Sequence, residues 1–233
     1  MGGGNAGEIA SALAVEAIHM HLTEAGRQAD LPLTGPCDAT VSAAANRLAS
    51  AIRAANVVIH RESWSRPEYA GMGTTVVAAL LHEEVLAIAH VGDSRLYLVQ
   101  NETIQALTTD HSWIAEQILK GAMTEEEAER SPRRNIVTRA LGVESNVDGE
   151  VTEIPVKSGD MLLLCSDGLT RTVCPTDILH VLSGSEDLSA MSDRLIDMAN
   201  EAGGDDNTTV VIVALRDEFQ AGLWERLKRQ FVA

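Results

Sequence analysis

Apolar residues recur at helical intervals in the first part of the chain and at strand intervals after Gly73. Ile9, Leu13, Ala14, Ala17 and Met20 predict a helix over 6–24 with one face against a core, and Asn5 is placed to cap it. Beyond a loop holding Pro32, Gly35 and Pro36, a second helical pattern covers 40–61, where alanines alternate with Val41, Leu48, Ile52, Val57 and Ile59. The period then shortens. Residues 74–81 and 85–91 are β-rich runs joined by His82-Glu83-Glu84, Gly92-Asp93-Ser94 makes a turn, and 95–100 and 103–107 follow around Asn101-Glu102. Hairpin-length connections predict that these four strands form one antiparallel meander.

Thr109-Asp110-His111-Ser112 leads into a helix through Lys120, and Thr124 with Glu127 three residues on is a capping-box signature. The polar stretch 121–135 reads as a mobile insertion over a surface. Strand character resumes over 147–155. Five apolar residues, Met161 to Cys165, stand between Gly159-Asp160 and Ser166-Asp167-Gly168, which predicts a short strand buried on both faces and ended by a turn. Helices over 175–182 and 188–202, an acidic glycine turn at 203–207 and a strand over 208–215 complete the pattern. In the tail, Phe219, Leu223, Trp224, Leu227 and Phe231 share one helical face, so 218–233 is expected to be an amphipathic helix, more often docked on its own domain than touching a membrane or a partner. Hairpins with long helices before and after them indicate an α+β layered fold.

A length of 233 residues suits one domain, and no apolar run approaches membrane-spanning length. The formal net charge of −16 repels nucleic acid and anionic membranes, which turns the search toward cations and basic partners. Cys37, Cys165 and Cys174 are odd in number and widely spaced, giving neither a disulfide framework nor a zinc signature. With no charged-then-apolar leader, a cytoplasmic location is expected. His19 and His21, two apart on a helix, point to different faces and read as ordinary helix residues.

Chemistry concentrates in acidic turns. Asp93, Asp167 and Asp206 each stand at a strand end beside glycine or another turn former. Asp167, at the mouth of a buried strand, is placed either to hold a hard divalent cation or simply to open the following helix, since Ser and Asp are favoured caps. The flanking words add specificity. Gly73-Thr74-Thr75, Val91-Gly92-Asp93-Ser94-Arg95, Asp110-His111-Ser112, Thr138-Arg139-Ala140-Leu141-Gly142, Ser166-Asp167-Gly168-Leu169 and Asp205-Asp206-Asn207-Thr208-Thr209 occur in that order. Together they resemble the bacterial PPM (PP2C-type) metal-dependent protein phosphatases.

The resemblance implies a layered α-β-β-α sandwich of two antiparallel sheets flanked by helices, lacking its first strands, with residues 1–217 as the phosphatase domain. It implies manganese or magnesium, two or three ions, and hydrolysis of protein phosphoserine and phosphothreonine by a metal-activated water. Carried over motif by motif, Asp167 and Asp206 are the ligands of the main cluster, and Asp93 with Asp167 holds a further, weaker ion. Gly168 and Asn207 are backbone or supporting positions, Arg95 is a structural ion-pair partner, and 121–135 is the flap where substrate choice is set. The implied partners are phosphorylated proteins and a cognate Ser/Thr kinase.

One motif departs from the family pattern. The family's Asp-Gly-Met-Gly-Gly bridges the principal metals, whereas this chain opens Met1-Gly2-Gly3, so the Asp-Gly pair would fall before residue 1. An internal Met codon taken as the start explains this, and the exact polypeptide is then expected to be a weak or inactive phosphatase. The alternative is a non-catalytic pseudophosphatase that binds a phosphoprotein or kinase. Manganese-dependent hydrolysis of a phosphothreonine peptide is expected from a chain extended upstream through an Asp-Gly pair and to be weak or absent from this one. Equal turnover by both would contradict the role assigned to that pair.

Overall fold

A computed structural model describes residues 6–27, 32–184 and 186–216. The helices are α1 (Gly7–Arg27), α2 (Ala43–Ser65), α3 (Trp113–Leu119), α4 (Glu125–Glu129), α5 (Asp167–Thr170), α6 (Pro175–Leu182) and α7 (Leu188–Glu201). The strands are β1 (Val76–His82), β2 (Val85–Val91), β3 (Arg95–Gln100), β4 (Thr103–Ala106), β5 (Glu150–Pro155), β6 (Met161–Cys165) and β7 (Val210–Ala214). The cap expected at Asn5 and the amphipathic helix expected over 218–233 lie outside the described residues. No described helix is long and apolar enough to cross a membrane.

The chain divides into two compact units. The first takes the described residues of 1–80, 87–95 and 108–153, and the second those of 81–86, 96–107 and 154–233. In the first, α1 and α2 lie against each other, and Ala10, Ala14, Ala45, Leu48, Ile52, Ala55 and Ile59 form a core with Ala87, Ala89 and Val91 of β2. Alanine supplies much of that face because a single methyl lets backbones approach closely while still removing apolar surface from water. Ser42 caps α2, its hydroxyl accepting from the Ala45 N–H at 3.1 Å.

Two apolar positions named in the predicted helices turn outward. The buried stripe of α1 centres on Ala10 and Ala14, with Ala17 partly buried beside them, and Met20, about 80° round the helix from Ala10, is 53% exposed. Val57 lies on the side of α2 opposite Ile52 and Ile59 and is 52% exposed.

The predicted single meander is divided between two sheets. One is three-stranded in the order β1-β2-β5, and the other four-stranded in the order β4-β3-β6-β7. β2 and β3 are consecutive but unpaired, because β3 has a partner on each side: β4 in the register Tyr97 to Ala106 through Gln100 to Thr103, and β6. No edge of β3 is left for β2. Its central residues, Leu96 to Val99, are buried, as suits an inner strand.

In the second unit β6 is also an inner strand, antiparallel to β7 from Met161 opposite Ala214 to Cys165 opposite Val210. Leu163 and Cys165 pack with Tyr97, Val99, Leu169, Val173, Ile178, Leu182, Met191, Leu195 and Ala199. Proline at the first helical position opens α6, and Asp187 caps α7 by accepting from the Ala190 N–H at 2.8 Å. The stretch 121–135 carries α4, entered through the Thr124–Glu127 capping box.

Asp160, buried just before β6, accepts from the Gln100 amide at 3.0 and 3.1 Å and from the Lys157 N–H at 2.9 Å. It thereby ties β3 to the entry of β6. Asp160→Ala strands these donors, and urea denaturation is expected to register a loss of about 2–4 kcal/mol; an unchanged midpoint would contradict this role.

Candidate functional site

The end of β6 and the start of β7 are stitched together by one serine. Ser166 donates its backbone N–H to the Thr209 carbonyl at 3.1 Å, accepts the Thr209 N–H on its hydroxyl at 2.9 Å, and donates that hydroxyl to the Asn207 carbonyl at 3.1 Å. Ser166 occupies the N-cap position of α5, yet makes no side-chain cap bond because its hydroxyl is committed across to the neighbouring turn. The contact is close enough to require Gly168: a Cβ there would lie 2.5 Å from the Asn207 carbonyl oxygen and 2.9 Å from the Thr208 hydroxyl. Two distant sequence words, Ser-Asp-Gly and Asp-Asp-Asn-Thr-Thr, thus form one corner.

Asp167 and Asp206 meet at this corner through a single cation. Asp167 pairs with Arg171, one helical turn on, and Arg171 Nη1 reaches Asp206 Oδ2 at 3.1 Å. The other Asp206 oxygen accepts the Asn207 N–H at 2.8 Å. The carboxylates are 24% and 37% exposed, accessible yet held. Beside them an open polar cavity of about 510 Å³ is lined by Ile196, Asn200 and the turn from Gly204 to Thr208. The Thr208 hydroxyl is buried without a hydrogen-bond partner. Two carboxylates sharing one monovalent guanidinium leave unbalanced negative charge with oxygen donors, which fits a hard divalent cation.

Asp93 belongs to the first unit, on a buttressed turn. Gly92 has φ of +110°, and a Cβ on it would strike the Thr75 side chain at 2.3 Å. Thr75 and Ser94 hydroxyls are 2.9 Å apart. On the other flank, the Gly92 carbonyl accepts from the His111 N–H at 2.9 Å, and the Gly92 N–H donates to His111 Nδ1 at 3.1 Å. Arg95 is the ion-pair partner expected of it, donating through Nε and Nη2 to the two Asp110 oxygens at 2.8 Å each. Reciprocal backbone bonds between Thr74 and Leu141 join the remaining words of this unit.

Sequence reasoning missed two groupings. Arg171 stands four residues after Asp167, the helical spacing of an ion pair, which was the available signal. The second is His90, His111 and Glu150, whose ligating atoms lie within 4.8 Å of one another. Its signal was a lone polar residue, His90, in the apolar run of β2. The imidazole rings stack at 4.6 Å between centroids and 15° between planes.

Hydrogen-bond polarity decides what this second cluster is. The Thr109 carbonyl, 2.7 Å from His90 Nε2, only accepts, so that nitrogen carries its proton. The Gly92 N–H only donates, so His111 Nδ1 is bare and Nε2 bears the proton, facing Glu150 at 3.4 Å, while Arg139 Nη1 at 3.4 Å from the same nitrogen is a close electrostatic neighbour rather than a hydrogen-bond donor to it. Nitrogens that carry protons are not metal ligands, and the cluster is a hydrogen-bonded brace. Burial, then the nearby His90 and Arg139, hold the His111 pKa below its ordinary value, in keeping with a neutral ring.

Comparison with known proteins bears on the family and on the fold. A family model described as "Protein phosphatase 2C" matches residues 1–215. The Listeria monocytogenes protein named serine/threonine phosphatase stp is 40% identical over 222 residues, covering 95% of this chain and 84% of that one. The crystal structure of the Mycobacterium tuberculosis serine/threonine phosphatase PstP/Ppp superimposes with a TM-score of 0.78 at 34% identity, covering 93% of this chain and 85% of that one. A structure of the catalytic domain of the serine/threonine protein phosphatase PstP in complex with two manganese ions is similar with a TM-score of 0.77 at 33% identity, with coverages of 93% and 85%. The two antiparallel sheets with helices found here match the fold of these phosphatases.

The neutral His111 has a measurable signature. Its folded pKa lies below the ordinary 6.5, so the unfolded chain takes up more protons as the pH falls through that value. The contribution is intact above 6.5 and lost progressively below it. Urea denaturation at a series of pH values is expected to show this decline in the wild type and a shallower one in His111→Gln between about pH 7.5 and 5.5; identical slopes would contradict the assignment.

Proposed function

This chain belongs to the protein phosphatase 2C family, and from that premise we propose that it hydrolyses phosphoserine and phosphothreonine in proteins with manganese or magnesium as cofactor. Residues 1–217 form the phosphatase domain in this reading. The phosphoprotein substrates are those of an opposing Ser/Thr kinase, and the setting is the cytoplasm, a compartment compatible with Cys37, Cys165 and Cys174 forming no disulfide.

The observation that carries the reading is the corner where Ser166 and Gly168 bring Asp167 and Asp206 together around one positive charge. Asp167 and Asp206 hold the principal ions, and Asp93, on its buttressed turn, serves a further, weaker one. When bound, the divalent ions supply Lewis acidity toward the phosphoryl oxygens and a water of lowered pKa. The protein's own groups support water as the nucleophile. Cys165 is buried in the core, and the Ser166 hydroxyl is engaged by the Asn207 carbonyl and the Thr209 N–H. Neither offers a free nucleophile. The work of this chain is positional: rigid strand ends fix the carboxylates before the ions arrive, so little reorganisation remains for the reaction.

Phosphate release from a phosphothreonine peptide by the chain extended upstream through an Asp-Gly pair is expected to require manganese and to fall about a hundredfold or more in Asp167→Asn and Asp206→Asn, with calorimetry recording the parallel loss of manganese binding. Turnover unaffected by chelation, or by both substitutions, would overturn the reading. Retained phosphoprotein binding with no turnover would favour the non-catalytic alternative.

A further inference from the structure

The two carboxylates are not simply waiting at the corner; Arg171 occupies them. Its guanidinium pairs with Asp167 through Nη2 and with Asp206 through Nη1 at 3.1 Å, while its backbone N–H closes α5 onto the Asp167 carbonyl at 2.9 Å. The same oxygens cannot serve a fork of N–H donors and a divalent cation in full. We infer that Arg171 is an internal counter-ion that competes with the metal, holding the corner together in the metal-free protein and moving aside when the ions bind. This rests on the assignment of Asp167 and Asp206 as ligands made above.

Three properties of the side chain argue for displacement rather than coexistence. A guanidinium does not lose its proton at physiological pH, so its charge cannot be relieved by titration; it has to leave. Placed beside a divalent cation it would meet like-charge repulsion in a partly screened setting. The Arg171 side chain is 33% exposed, so a long flexible stem has solvent to swing into. Its backbone role in α5 survives that movement, because the N–H to Asp167 bond does not involve the side chain.

The metal-free state needs such a group. Asp167 and Asp206 are brought close by main-chain bonds of Ser166 and the glycine contact at Gly168, and two like charges at one corner repel. Arg171 offsets that repulsion until metal arrives. The consequence is a lower metal affinity than the carboxylates alone would give, together with a metal-free fold that stays assembled. Loading then responds to the free metal concentration over a higher range.

Manganese titration calorimetry and thermal unfolding, each run on the full chain with and without manganese, test this in the wild type, Arg171→Gln, Arg171→Lys and Asp167→Asn. Arg171→Gln is expected to bind manganese about three- to tenfold more tightly, the range set by losing partly exposed ion pairs. Its metal-free Tm is expected to fall while its manganese-bound Tm stays at the wild-type value, with Arg171→Lys intermediate. A merely structural role would weaken binding and lower both Tm values, which overturns the inference, as does unchanged affinity. If Asp167→Asn loses binding while Arg171→Gln matches the wild type, the inference fails and the ligand assignment stands. If the wild type itself binds no manganese, the ligand assignment fails and carries the inference with it.

Discussion

A single missing methyl group sets the geometry of the acidic corner. Gly168 lets the β6 to α5 turn approach the Asn207 carbonyl to a distance that no Cβ could tolerate. That approach brings Ser166 within reach of both Asn207 and Thr209, extends the β6–β7 pairing past Cys165 and Val210, and places Asp167 and Asp206 on the two sides of Arg171. Without the contact the carboxylates would belong to two separate turns. With it, the Ser166 bonds hold the two turns together and Arg171 offsets the like-charge repulsion that they would otherwise express as separation.

The first unit solves a comparable problem with polar side chains. The Asp93 turn is held by the Thr75–Ser94 hydroxyl pair on one flank, and on the other by the bidentate Arg95–Asp110 pair and two bonds to His111. His111 in turn stacks on His90, which is anchored on Thr109. Buried polar groups of this kind are costly unless every donor meets an acceptor, and a network that does so permits one arrangement rather than several. The histidines therefore act on the turn through geometry, and their protonation states follow from the groups that face them.

Much of this was legible in the chain. Apolar runs bounded by turn residues located β2, β3, β6 and α6 to the residue, and the Thr124–Glu127 box was readable from two positions. The pairing of strands was less accessible. Gly92-Asp93-Ser94 has the length of a hairpin, yet β3 finds its second neighbour in β6, some sixty residues later, and β2 is left in the other sheet. Hydrogen-bond partners far apart in sequence leave no local trace. The same reason hid the His90–His111–Glu150 brace, since its members come from three separated stretches. Met20 misled because apolar character alone does not say which side of a helix the alanines will bury. At the acidic corner the ordered words pointed to Asp167 and Asp206, while the cation between them was one helical turn away and unread.

The most direct test is where manganese goes. Anomalous scattering from crystals of this protein grown with manganese is expected to place ions bonded to the carboxylates of Asp167 and Asp206, with the Arg171 guanidinium turned out to solvent. Manganese seated instead among His90, His111 and Glu150, with Arg171 still bridging the two aspartates, would contradict both the ligand assignment and the protonation states on which this account depends.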